Sequence, residues 1–282
     1  MALTAPLRLL LVHAHPDDES IWTGGTIARY AAAGAHVSVV TCTLGEEGEI
    51  IPDGLRGLAV DQADQLGGYR LGELRSACMA LGVTEHRYLG GIGRWRDSGM
   101  VDTAANANPR AFIAGDLAEQ TDQLSALLSE LKPNVVITYG PDGGYGHPDH
   151  IRAHQVTLAA VAAVGGVDRV YYTVNSRTTV DSGVAELATL PGQPFQVPAP
   201  GELTAVPDEQ VTTVIDITGH LPAKLTALRA HATQISVWRS VDGVPVLALS
   251  NGIAQPVPGV EHFTLVQGDP QGTARDLFGV TG

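Results

Sequence analysis

Short apolar runs recur along the first 175 residues, and each ends in a polar or glycine-bearing turn. Leu9-Leu10-Leu11-Val12 is continuous rather than alternating, the pattern of a strand buried on both faces. It places a first strand at Leu7 to Val12. Val37 to Thr43, rich in β-branched residues, reads as the second strand. Arg87 to Leu89, Asn134 to Tyr139 and Val170 to Val174 follow as the third, fourth and fifth. Helical spacing fills the gaps. It predicts a short helix over Thr26 to Ala33, with Gly34 closing it. A second helix runs over Leu71 to Leu81, with Leu71, Leu74, Cys78 and Leu81 on one face. A third covers Asp116 to Leu131 on a stripe of five leucines, and a fourth Ile151 to Val164.

Alternating strands and helices predict an α/β, Rossmann-like fold: a mostly parallel sheet with helices on both faces. Residues 1–175 are expected to form its core. Gly90 to Asn108 reads as a long loop. Between Leu190 and Pro207 the chain holds five prolines and two glycines, which predicts a linker or an excursion. A strand over Val211 to Ile217 and a helix over Leu221 to Gln234 return beyond it. Gly268 to Gly282 is weakly patterned. Residues 176–282 are thus expected to complete the sheet, to build part of a pocket wall and to form a small C-terminal lobe. No solenoid-type repeat is visible.

Composition narrows the function. A net charge of −13 over 282 residues excludes a basic nucleic-acid surface and offers nothing to an anionic membrane. No apolar run approaches the roughly 20 residues of a membrane span. The first apolar run leads straight into His13 and Asp17 without a small-residue cleavage site, which argues against a signal peptide. Two cysteines, Cys42 and Cys78, give neither a disulfide framework nor a thiolate zinc knot. They fit a reducing, cytoplasmic setting.

The chemistry gathers at two strand ends. His13-Ala14-His15-Pro16-Asp17-Asp18-Glu19 follows the first strand, and Tyr145-Gly146-His147-Pro148-Asp149-His150 follows the fourth. Ligands of open α/β sheets bind outside the carboxyl ends of strands. One His-Pro-Asp is usually turn chemistry, with proline setting φ and Asp capping a helix. Two of them, each after a buried strand and each with extra His or Asp, are better read as halves of one metal site. A catalytic zinc takes three protein ligands from His, Asp or Glu and keeps one position open. Counting alone does not select the three here; a His or Asp left over is available as acid or base. Asp149 reads both as N-cap of the Ile151 helix and as a carboxylate orienting His147.

Other candidates are weaker. Glu46, Glu47 and Glu49 form an acidic turn that suits a solvated loop as well as a pocket wall. His231 sits late in a helix, where histidine is favourable on electrostatic grounds alone. Trp22, Trp95 and Trp238 read as packing, and Cys42 as an inert buried thiol.

The two clusters resemble those of the LmbE/PIG-L family of zinc-dependent N-deacetylases, and most closely its actinobacterial branch in mycothiol biosynthesis. The likeness runs from Val12 to about Met100. It takes in Leu44-Gly45-Glu46-Glu47-Gly48-Glu49, Asp64-Gln65-Leu66-Gly67-Gly68-Tyr69-Arg70 and Gly93-Arg94-Trp95-Arg96-Asp97-Ser98-Gly99-Met100, and resumes at Gly143 to His150 and Ala230 to Gln234. The stretch from about Val174 to Pro207 carries little of it. The resemblance implies His15, Asp18 and His150 as ligands of one Zn²⁺ per subunit, a set that also accommodates Fe²⁺. It implies Asp17 as general base and His147, tuned by Asp149, as general acid or oxyanion-side group. Tyr145 would polarise the amide carbonyl. Arg70, Asp97, Glu49 and Met100 would hold substrate, and His13 would support the site from behind. The implied substrate is N-acetylglucosaminyl-inositol, cleaved to the free amine and acetate. Two rivals remain: a mycothiol S-conjugate amidase, and a non-catalytic Rossmann-like binding domain, which lacks the G-x-G-x-x-G fingerprint after strand one.

Overall fold

The computed structural model describes residues 7–279. The first half alternates β1 (Arg8–His13), α1 (Asp18–Ala32), β2 (His36–Thr41), α2 (Leu66–Leu81), β3 (Glu85–Tyr88), α3 (Leu117–Leu131), β4 (Val135–Tyr139), α4 (Pro148–Val164) and β5 (Arg169–Val174). The second half adds α5 (Arg177–Leu187), β6 (Thr213–Asp216), α6 (Leu221–Ala230), β7 (Ser236–Arg239), β8 (Pro245–Ala248), β9 (Ala254–Pro256) and β10 (Val260–Gln267). Seven strands make one sheet in the order β3-β2-β1-β4-β5-β10-β6. The first five are parallel, and β10 runs antiparallel between β5 and β6. This is the expected mixed α/β fold.

Side-chain alternation along β1 explains its continuous apolar run. Leu10 and Val12 face a core shared with α3 and α4, while Leu9 and Leu11 face another shared with α1, α2 and α6. All four are buried. Strand order reverses between β1 and β4, so the turns after these two strands open into one crevice at the switch point.

Several elements differ from the sequence reading: α2 begins at Leu66 rather than Leu71, and α5 was not expected. Helix α1 begins at Asp18, about two turns before the predicted Thr26. Gly24 and Gly25 lower helix propensity, but here they permit close packing: a Cβ on Gly25 would collide with Ile217. Helix α4 starts at Pro148 with His147, not Asp149, as N-cap. Helix α6 stops at Ala230, and His231 is its C-cap rather than an interior residue.

Residues 176–279 carry more structure than their pattern announced. Strand β10 has polar Glu261 and His262 at buried positions, which hides its apolar face. The hairpin strands β7, β8 and β9 form a separate three-stranded sheet with its own small apolar clusters. No helix among the described residues is long and apolar enough to cross a membrane.

Candidate metal centre

The turn after β1 is held from several sides. His13 is fully buried, with Nε2 2.9 Å from Thr23 Oγ1 and Nδ1 3.2 Å from the Tyr139 hydroxyl. Burial pushes its imidazole down to about 4. It braces the turn from behind and faces no donor cluster. The Asp18 carboxylate accepts the backbone N–H of His15 at 2.9 Å and the Tyr139 hydroxyl at 2.8 Å, both on Oδ2.

That same oxygen lies 3.4 Å from His15 Nδ1 and 3.3 Å from His150 Nε2, and the two nitrogens are 3.3 Å apart. Bonds of about 2.0–2.2 Å at tetrahedral angles put donor atoms about 3.3–3.6 Å apart. The triangle therefore fits a tetrahedral cation. The lone pairs are aimed as well. His150 Nδ1 lies 3.0 Å from the Gly143 carbonyl, which can only accept, so the proton sits on Nδ1 and Nε2 is free. Tyr139 stacks on the His150 ring at 4.1 Å. His15 Nε2 lies 3.2 Å from Asp149 Oδ2 and 3.5 Å from Asp97 Oδ1, which leaves Nδ1 toward Asp18. His147 adds a further nitrogen close to His15 and His150, and His15, Asp97 and Asp149 form another donor group. The His15–Asp18–His150 donors stand 3.3–3.4 Å apart, while His15, His147 and His150, and His15, Asp97 and Asp149, also bring ligand atoms within 4.8 Å of one another.

Electrostatics follow the carboxylates. Burial lowers the His15 imidazole, yet Asp97, Asp149 and Asp18 outweigh it and hold His15 well above its ordinary value. Burial alone would raise Asp18, but His150 and His15 hold it well below the carboxylate range. Asp17 behaves differently. Burial raises it to about 6, with Arg70 opposing and Asp18 adding to the rise. Its backbone is strained, at φ 117° and ψ −32°, at a cost of about 1–3 kcal/mol that the surroundings must supply.

Asp149 does not orient His147 through its carboxylate. Oδ2 accepts the Ser98 N–H at 2.9 Å and meets His15, while Oδ1 is buried without a partner. The link to His147 is the reverse of the expected one: the Asp149 backbone N–H donates to His147 Nδ1 at 3.2 Å. That bond leaves the ring proton on Nε2. Burial, with His15 and His150 nearby, lowers His147 to about 3, so the ring is neutral. A histidine at a helix N-terminus is kept neutral in the same sense.

Tyr145 stands half-exposed, edge-on to His147 and His150 at 5.9 and 4.9 Å. Its hydroxyl makes no hydrogen bond among the described residues.

Arg70, Asp97, Glu49 and Met100 all line one cleft of about 910 Å³, with His15 and Asp18 on its wall and His150 buried behind them. Their engagement differs. Arg70 is buried, and its Nη atoms go to Gly45 O, Pro16 O and Asp17 Oδ2, the last at 3.0 Å. It steadies Asp17 rather than reaching into open space. A Cβ on Gly45 would collide with its guanidinium. Asp97 accepts the Gly99 and Glu47 N–H groups and faces His15. Glu49 and Met100 are exposed at the rim. The acidic turn splits: Glu46 is buried and accepts the Asp97 N–H, Glu47 pairs with Arg96, and Glu49 faces solvent. The sequence reading missed Tyr139, Ser98 and the Glu19–His231 pair. Tyr139 closed an apolar run, and a buried tyrosine in a strand carries no signal of its partner.

Fold and site together describe a Rossmann-like α/β protein with a cluster of candidate metal donors gathered from two strand-end turns. The GlcNAc-PI de-N-acetylase (PIG-L) model matches residues 10–161, and the chain belongs to that family of N-deacetylases. A protein of Actinosynnema mirum, 65% identical over the whole of both chains, is called 1D-myo-inositol 2-acetamido-2-deoxy-alpha-D-glucopyranoside deacetylase. One of Mycobacteroides abscessus with the same name is 56% identical over 96% of this chain and 97% of its own. In fold, the chain is similar to N,N'-diacetylchitobiose deacetylase from Pyrococcus horikoshii, at TM-score 0.54 and 20% identity, over 81% of this chain and 71% of that one.

Proposed function

We propose that this protein hydrolyses the N-acetyl group of 1D-myo-inositol 2-acetamido-2-deoxy-α-D-glucopyranoside, releasing acetate and the free amine, and that it does so with one Zn²⁺ held by His15, Asp18 and His150. The observation that carries the reading is the 3.3–3.4 Å donor triangle of His15, Asp18 and His150, whose His15 and Asp18 corners line a cleft together with Asp17. The full-length relatives supply the substrate. A bound cation there would supply Lewis acidity, drawing charge from the acetyl carbonyl and making water more acidic.

The chain's own groups do the rest. Asp17, raised to about 6 by burial, accepts the proton of the attacking water near neutral pH. It can return that proton to the leaving nitrogen, since an amide anion is a very poor leaving group. Arg70 holds the carboxylate in place. His147 presents a neutral Nε2–H, which suits the oxyanion-side role better than that of an imidazolium acid. Tyr145, free of protein bonds, can turn its hydroxyl onto the same oxygen. Asp97, Glu49 and Met100 would form the wall that meets the sugar and inositol hydroxyls. The two buried free cysteines suit a reducing cytoplasm.

The test is a panel: the acetylated glucosaminyl-inositol, simple N-acetylglucosamine and a larger thiol-conjugate amide, assayed for amine release with metal counted in the same sample. Turnover should be highest on the glycosyl-inositol at one metal per chain. Preference for the thiol conjugate would make the protein an amidase. Absence of turnover with full metal would leave a binding domain.

A further inference from the structure

Among the buried pairs that the mechanism does not use, one lies against the site. Glu19 and His231 are both fully buried, and His231 Nε2 lies 2.7 Å from Glu19 Oε1. His231 Nδ1 has no partner. Glu19 does not only answer His231. Its other oxygen, Oε2, accepts the backbone N–H of Asp17 at 3.0 Å. That N–H belongs to the one non-glycine residue of the site whose φ is positive. We propose that Glu19 and His231 are positioning residues: they hold the strained Asp17 backbone so that its carboxylate faces the cleft.

The geometry argues for a chain of supports. A residue at φ 117° leaves that conformation unless several bonds fix it. Asp17 has three kinds. Its carbonyl accepts the Ser20 and Ile21 N–H groups that open α1. Its carboxylate meets Arg70. Its N–H meets Glu19. Of these, the Glu19 bond alone depends on a side chain from the far end of the sequence. His231 pins that side chain, and Ser20 Oγ donates to the same Oε1 at 2.5 Å. His231 is itself fixed from outside. The next turn is tied to α2 by Thr233, whose N–H and hydroxyl both donate to Glu73, and to the acidic loop by Ile51 N–H donating to Thr233 O. The family match ends at residue 161. His231 therefore brings the C-terminal extension into control of a residue inside the matched core. It reaches Asp17 without touching substrate or any of the three donor atoms.

This rests on Asp17 being the proton acceptor, so the experiment reads structure as well as turnover. His231→Leu keeps bulk and removes the donor; His231→Gln keeps one N–H. In the metal-loaded full chain, His231→Leu should lower kcat by about 10²-fold, the scale of a 1 Å misplacement. KM and metal per chain should stay within twofold. His231→Gln should restore most of kcat. A crystal structure of His231→Leu should show residue 17 out of its positive φ. Should that variant not fold, Glu19→Gln substitutes for it. Its amide offers one acceptor oxygen where the carboxylate serves Asp17, Ser20 and His231 with two, and it should show the same split. A kcat within threefold of the parent in folded protein, or loss of metal together with kcat, would overturn the proposal. If the parent itself turns over no acetylated amino sugar, the functional reading fails separately. An unmoved Asp17 backbone in the His231→Leu crystal structure would then still overturn this one.

Discussion

The two turns that make the site are built in opposite ways. The turn after β1 is buried and bonded throughout: His13, His15 and Asp18 are each less than a tenth exposed, and even the Asp17 backbone N–H has a side-chain acceptor. The turn after β4 carries Gly143, Gly144 and Gly146 at positive φ and leaves Tyr145 half-exposed with an unengaged hydroxyl. Its backbone is bonded too, Gly143 N–H to Gly140 O, Gly144 N–H to Asp142 Oδ1 and Gly146 N–H to Asp142 O, so what this turn leaves unheld is the Tyr145 side chain. A cation needs preset donors, because ligands that relax freely lose the spacing it requires. A carbonyl that changes from planar to tetrahedral is better met by a donor that moves. The first turn suits the first task, and the glycine-rich turn the second.

The largest effect should come from removing the donor that the second turn sets against both His15 and Asp18 of the first. His150→Ala removes a donor from the triangle and leaves Asp18 facing His15 alone. Metal content and turnover should fall together to background, measured by elemental analysis and amine release on one sample. Full occupancy in that variant would remove His150 from the ligand set and move attention to His147, which offers the alternative nitrogen.

Two tyrosines then separate the halves. Tyr139→Phe removes a hydroxyl that donates to Asp18 and accepts from Ala14 N–H inside the core. It should weaken metal binding by about 10–100-fold and cost about 1–3 kcal/mol of stability, because the Ala14 N–H is left without a partner. Tyr145→Phe should leave metal affinity and Tm unchanged, since its hydroxyl makes no hydrogen bond among the described residues. Its kcat should fall by about 10²-fold, the value of one oxyanion donor. If Tyr145→Phe lowers Tm instead, the second turn is less free than its contacts imply.

Much of this was legible in the sequence because the site lies where buried strands end. Leu9 to Val12 and Val135 to Tyr139 mark two strand ends, and the His-Pro-Asp turns come directly after them. What stayed hidden depends on pairs distant in sequence. Tyr139 meets Asp18 across 121 positions and His231 meets Glu19 across 212. No periodicity encodes such pairs. The resemblance placed Arg70 in the pocket, but its carbonyl and Asp17 partners only appear once Gly45 and Gly67 bring α2 against the acidic turn. Strand β10 was hidden because Glu261 faces inward to Lys224 Nζ at 2.6 Å and to the Gly25 and Thr26 N–H groups, so its polar positions are core positions.

The smallest effect should come from adding a single methyl group to the second turn, set beside the same change in the acidic turn after β2, which packs on Arg70. Gly146 and Gly45 both sit at positive φ, 85° and 66°, so alanine pays a left-handed cost of roughly 1–2 kcal/mol at either place. The surroundings differ. A Cβ on Gly146 meets nothing within 4 Å, whereas one on Gly45 runs into the Arg70 guanidinium that holds Asp17. Gly45→Ala should therefore lower kcat well beyond its loss of Tm, because Arg70 must move and Asp17 moves with it. Gly146→Ala should show only the backbone penalty, a Tm lowered by about 2–4 °C per kcal/mol for a chain of this size class. Its kcat should fall a few-fold at most, through slower reorientation of Tyr145 on a stiffer turn, with metal content unchanged. Thermal melts and steady-state kinetics on the two variants side by side check this. Equal kcat losses in both would mean that the second turn, too, works as a fixed scaffold, and the contrast between preset donors and a mobile tyrosine would not hold.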